Sequence, residues 1–152
     1  MAATAWQLYN SAKKYIGNGT ITLGAGVFKM VLAQTASNAS TFTLSTYASV
    51  TNEVAAAGGY VTGGRNLVPA TAKWVTGASA KQQKFTMSAV GLAFTASGAS
   101  LVNIRYAILR NSTGAAAGKL LCFCQLSSSQ FTVTSPNTLT VLPAATGIFT
   151  LT

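Results

Sequence analysis

The spacing of apolar and polar residues changes once along this chain, near residue 20. Before that point Leu8, Ala12, Tyr15 and Ile16 recur at the three-to-four interval that gathers them on one side of a helix, with Lys13 and Lys14 displaced from the stripe. Gly17-Asn18-Gly19 supplies the stop signal. After it the period is two. Phe28, Met30 and Leu32 alternate with Lys29 and Val31, and Phe85, Met87 and Ala89 alternate with Lys84, Thr86 and Ser88. A short helical turn is expected within residues 46–57.

The second half carries the same rhythm. Val102, Ile104, Tyr106 and Ile108 are expected on one face and Asn103 and Arg105 on the other, so residues 101–110 read as a strand near the middle of a sheet. Further strands are expected at 119–126, 130–134, 138–142 and 147–151, separated by serine-rich, Pro-Asn and Pro-Ala-Ala-Thr turns. Short strands at this spacing predict an all-β protein, an antiparallel jelly-roll-like β-sandwich with a short N-terminal helix. A parallel α/β sheet would need crossover helices that the pattern does not supply.

Length adds a domain count. The 152 residues fit one domain, divided as an N-terminal helix or arm over 1–19 and a single sandwich over 20–152. The uncharged stretch 120–152 is interrupted by Ser127-Ser128-Ser129, Pro136-Asn137 and Pro143, which favours strands over a membrane span. Residues 1–17 place Lys13 and Lys14 after their apolar positions rather than before them, unlike a secretory leader. No membrane association is expected.

Charge changes the picture most. Ten Lys and Arg stand against one acid, Glu53, and there is no histidine, for a formal charge of +9. General acid/base catalysis and oxygen-ligated metals both need groups that this chain lacks, so no catalytic, cofactor-binding or metal-ligating residue is assigned. The unpaired cations instead favour association with acidic surfaces.

Several local patterns invite chemistry and are better explained otherwise. Cys122 and Cys124 point the same way along a strand, without further Cys or His to complete a zinc site, and read as small buried hydrophobes. The stretch Gly58-Gly59-Tyr60-Val61-Thr62-Gly63-Gly64-Arg65 lacks the Gly-Lys-Ser/Thr ending of a phosphate loop and reads as a turn-rich loop able to meet a neighbouring subunit. Ser11 and Lys14 match a Ser-x-x-Lys spacing without its companion elements. The sequons at Asn18, Asn38 and Asn111 have meaning only in a secretory pathway. Trp6, Trp74 and Tyr60 are the aromatics available to stack on nucleic acid, but the basic residues around them are scattered.

The order Leu8-Tyr9-Asn10-Ser11, Tyr15-Ile16-Gly17-Asn18-Gly19-Thr20-Ile21, Phe28-Lys29-Met30-Val31-Leu32, Asn52-Glu53-Val54, Gly59-Tyr60-Val61-Thr62-Gly63-Gly64 and Arg105-Tyr106-Ala107-Ile108-Leu109 resembles a family of small tailed-bacteriophage virion proteins over roughly the first three quarters of the chain. The resemblance implies a non-enzymatic particle component. A capsid decoration or cement protein is the first expectation, bound to the major capsid protein on the head and assembled in the bacterial cytoplasm as a dimer or trimer. A neck, tail or baseplate protein contacting other virion proteins is the alternative, and a single-strand nucleic-acid-binding module comes third. Candidate interface residues are Trp6 and Tyr9, spaced as a docking anchor on the N-terminal segment, together with Lys13, Lys14, Tyr60, Arg65, Lys81 and Lys84.

Overall fold

The computed structural model describes residues 3–67, 73–77, 79 and 81–151. They form an all-β, antiparallel sandwich with one short α-helix near the N-terminus, as the periodicity predicts. The strands are β1 (Gln7–Leu8), β2 (Phe28–Gln34), β3 (Arg65–Asn66), β4 (Trp74–Thr76), β5 (Gln83–Phe85), β6 (Leu92–Thr95), β7 (Leu101–Asn111), β8 (Leu120–Gln125), β9 (Phe131–Val133), β10 (Thr138–Val141) and β11 (Phe149–Leu151). The helix, α1, spans Asn10–Gly17 and ends at Asn18. The turn expected within 46–57 is a single 3₁₀ turn, Tyr47–Ser49.

The large sheet runs β1-β8-β7-β2-β3, with β9 also paired to β7. Strand β7 is central because Ile108 and Leu109 sit between apolar partners on both sides, Val31 and Met30 on β2 and Phe123 and Cys122 on β8. Phe28, Met30 and Leu32 share one face with Leu109, Ala107, Cys122 and Cys124 through the register. This face looks onto two smaller sheets, β10-β6 and β11-β5-β4. The Phe28 and Phe85 rings meet across the gap edge to face at 5.1 Å, and Phe85 stacks on Phe149 at 5.4 Å.

The opposite face of the large sheet, with Val31, Ile108 and Phe123 in register, is buried as well. The N-terminal segment and the long β2–β3 connection cover it. Tyr9 and Phe42 place their rings 5.1 and 5.4 Å from Phe123, and the Tyr9 hydroxyl donates to the Ala39 carbonyl at 2.6 Å. Burial on both faces explains why β2 is apolar at Met30–Ala33 rather than alternating.

Two readings are corrected. Leu8 belongs to β1, paired with Cys122, so the helix begins two residues later than its apolar stripe suggests. Val102 does not share the buried face: β7 has a register irregularity between Leu101 and Ile104, Asn103 takes a positive φ of 59°, and Leu101 is buried while Val102 is 42% exposed. A bulge adds a residue and rotates the side chains before it, which a period-two count cannot anticipate. Within the N-terminal segment, Tyr9 and Ala12 belong to the same hydrophobic core as the sheet residues.

Candidate interaction surface

The one carboxylate of the chain is spent inside the fold. Glu53 lies beside β2, where its backbone bridges Ala33, and it extends the sheet past the two-residue strand β3. The flanking bonds are Gln34 N–H to Asn52 O at 2.9 Å and Val54 N–H to Leu32 O at 3.0 Å. From that position Oε1 accepts from the Tyr60 hydroxyl and the Gly63 N–H, each at 2.7 Å, and Oε2 accepts from the Tyr47 hydroxyl. Tyr60 in turn accepts from the Leu32 N–H at 3.1 Å.

Arg110 closes the arrangement without pairing to the acid. Its guanidinium donates twice to the Gly63 carbonyl, at 2.8 and 3.1 Å, and lies 4.4 Å from the centre of the Tyr47 ring. The glycine-rich loop is therefore a brace along the β2 edge and not a ligand loop. Gly64, at φ 79°, passes so close to β2 that a Cβ there would stand 2.2 Å from the Met30 carbonyl oxygen.

These groups are poorly suited to proton transfer near neutral pH. Burial, reinforced by the bond to Glu53, raises the Tyr47 phenol to about 12, and the same two causes raise Tyr60 further. Burial also raises the Cys124 thiol to about 12 and holds Cys122 well above its ordinary range. Both cysteines are free and buried against Leu109 and Ala107. The Ser11 hydroxyl donates to the Leu44 carbonyl at 3.0 Å, so it is committed to the fold. Among the described residues no three His, Cys, Asp or Glu side chains converge as a metal site, and no helix is long and apolar enough to cross a membrane.

The expected interface residues divide into two groups. Tyr9 and Tyr60 are corrected to core positions: Tyr9 is fully buried against Phe123, and Tyr60 packs near Phe94 with its hydroxyl between Leu32 and Glu53. An aromatic with its polar tip satisfied inside the chain has no reason to meet another. Lys13, Lys14, Lys81 and Arg65 are exposed and Lys84 is half-buried. Two of these also hold internal carbonyls, Arg65 that of Ala93 on β6 and Lys84 that of Ala145 at 3.2 Å.

Trp6 is half-buried and stands between two adjoining grooves that share Ala5, Trp6, Thr146 and Ile148. One, about 510 Å³, continues along Leu126, Phe131 and Leu139 toward β10. The other, about 470 Å³, is bordered by Leu8, Phe42, Lys13 and the β11 residues Phe149 and Thr150. Trp74, offered by the sequence with Trp6 and Tyr60 as a stacking aromatic, is half-buried, its ring centre 6.4 Å from that of Phe149. The sequence signalled Trp6 and Lys13 but not the grooves, which form from segments about 140 residues apart and have no local pattern. No protein-family model, curated protein or solved structure matches the chain.

Proposed function

We propose that this chain is a non-enzymatic structural protein of a tailed-bacteriophage virion, a decoration protein that binds and cements the major capsid shell. The observation that carries the reading is an allocation of chemistry. The one acidic side chain, the buried phenols and both thiols are consumed by the fold, while the exposed Lys13 borders an apolar groove at the β1 and β11 edges and Lys14 stands beside it in sequence. A surface of this kind suits attachment to an acidic partner. The resemblance of its motifs to small virion proteins points to a particle as the setting. Repetition over a shell gives weak individual contacts a high collective affinity when oligomers span several subunits.

The test is to mix purified protein with particles assembled without it, sediment them, and locate bound protein by particle reconstruction across a salt series. Binding to the head surface that weakens as salt shortens the screening length from about 10 Å at 0.1 M to about 3 Å at 1 M is the expected result. Binding confined to the neck, tail or baseplate would move the protein to that position. Failure to bind particles together with stoichiometric binding of a single-stranded oligonucleotide would replace the reading with nucleic-acid binding.

A further inference from the structure

The groove beside Trp6 lies between two strand edges that their own sheets leave open. β1 ends the large sheet and β11 ends the three-stranded sheet. Leu8 lines the groove from the first edge, and Phe149 and Thr150 line it from the second. On β1 the Tyr9 N–H donates to the Leu121 carbonyl at 3.2 Å, and Gln7 is in register with Phe123. Antiparallel alternation then turns the Leu8 N–H and C=O away from β8, into the groove. The next outward position on this edge is already taken in the same way, since the Asn10 N–H donates to the Phe42 carbonyl at 3.1 Å. The groove begins where that partner stops.

Its side chains specify what would fit. Trp6, Leu8, Ile148 and Phe149 offer an apolar floor, and Lys13 stands at the border. Lys84, one strand further in as the ladder neighbour of Thr150, is held by the Ala145 carbonyl at 3.2 Å, which leaves Lys13 as the cation at the groove. The only acidic side chain, Glu53, is occupied by Tyr47, Tyr60 and Gly63, so a second copy would bring ten more basic side chains and no available acidic one. Two strands of like charge in one groove repel, whereas an acidic strand is drawn in.

We propose that the cleft between β1 and β11 receives an extended segment of a partner chain, apolar on one face and acidic on the other, added as a strand to the Leu8 edge. Backbone hydrogen bonding supplies the attachment, alternate apolar side chains fill the floor, and the acidic residues meet Lys13. The inference deepens the particle-binding reading and rests on it only for the partner being another virion protein.

The probe is a synthetic ten-residue peptide of alternating Val and Glu, titrated into the full chain carrying Trp74→Phe so that Trp6 alone reports by fluorescence. A saturable Trp6 shift with added exchange protection at the Leu8 amide is expected. A Val/Lys peptide, and a Val/Glu peptide with two central prolines, should each bind at least about tenfold more weakly, because one reverses the charge and the other removes ladder donors. Lys13→Glu, on an exposed helix position, should narrow or invert the preference between the Glu and Lys peptides. No saturable shift with any peptide, equal binding of the proline peptide, or equal binding of the Lys peptide would overturn the proposal. A concentration-dependent dimer that buries the same cleft would overturn it in favour of a second copy. Particles separate the two readings: if wild type binds them and Lys13→Glu binds equally well, the cleft is not the contact while decoration stands. If wild type does not bind them, decoration fails and the peptide series still decides the cleft.

Discussion

Replacing Glu53 tests how far one carboxylate holds the β2 edge. Glu53→Ala removes the acceptor for the Tyr47 and Tyr60 hydroxyls and the Gly63 N–H at once. Hydrogen bonds to a charged group contribute about 1.5–3 kcal/mol each, but Tyr47 is only half-buried and recovers part of its own from water, so the expected loss is about 3–5 kcal/mol. For a chain of this size that corresponds to a fall in melting temperature of about 6–20 °C. Glu53→Gln keeps the shape and one acceptor oxygen, and its amide can donate to Tyr47, so about 1–2 kcal/mol is expected from the lost charge assistance. Tyr60→Phe should couple to both, because it strips Glu53 of a donor and leaves the Leu32 N–H without its acceptor. Urea unfolding of the single and double variants reads these terms as a double-mutant cycle. An alanine variant within 1 kcal/mol of wild type, or strict additivity with Tyr60→Phe, would refute the brace.

Tyr9→Ala should cost about 3–5 kcal/mol and Tyr9→Phe about 1 kcal/mol by chemical unfolding, since the ring fills core space and the hydroxyl holds Ala39; a near-neutral alanine variant would return the segment to the role of a detachable arm. Tyr47 is raised in the folded state to about 12, so its neutral form stabilises fully below the ordinary phenol range near 10 and that contribution is lost as pH climbs through about 12. Urea midpoints should therefore fall between pH 10 and 12, and fall less in Tyr47→Phe; equal pH profiles for the two proteins would contradict the shift. Cys122 and Cys124 should resist a thiol reagent at pH 8 in the native protein and both react in urea, and rapid native labelling would show that β8 is open to solvent.

Much of the sandwich was legible because its strands carry their own signal. The period-two positions Phe28, Met30 and Leu32, the apolar run Tyr106–Leu109 and the turn signals after residue 126 locate β2, β7 and β9 to β11 within a residue or two. The misplacements share a physical origin in non-local contacts. Leu8 has helical spacing relative to Ala12, yet pairing with Cys122 draws it into a strand, an override by a partner more than 110 residues away. Tyr9 and Tyr60 carry a polar atom that makes them plausible at an interface, and only the folded chain shows that atom satisfied by Ala39, Leu32 and Glu53. The Glu53 network did leave a trace, since Tyr47, Glu53, Tyr60 and Gly63 fall within one short segment. A lone acid among ten cations nevertheless suggests an ion pair rather than two phenols.

The distribution of the cations follows from that choice of partners. With its one acidic side chain taken, the chain sets several of its half-buried positive groups against carbonyl oxygens and aromatic faces. Lys73 donates to Gly26 at 2.6 Å, Arg110 to Gly63, Lys84 to Ala145, and Lys119 lies 5.1 Å from the Tyr15 ring centre. Such neutral partners orient a cation without cancelling its charge, so the net field of the chain survives folding almost undiminished. Lys13, Lys14, Lys29 and Lys81 have no hydrogen-bond or ring partner among the described residues, and two of these four sit on consecutive exposed positions of α1. Salt then acts with opposite signs on one molecule. It screens self-repulsion in a fold that has no surface ion pairs to lose among the described residues, which favours the folded state, and it screens the attraction of the α1 lysines for an acidic partner, which disfavours the bound state. A chain built in this way is held together by apolar burial and internal hydrogen bonds, and keeps its charge free to act on whatever it meets.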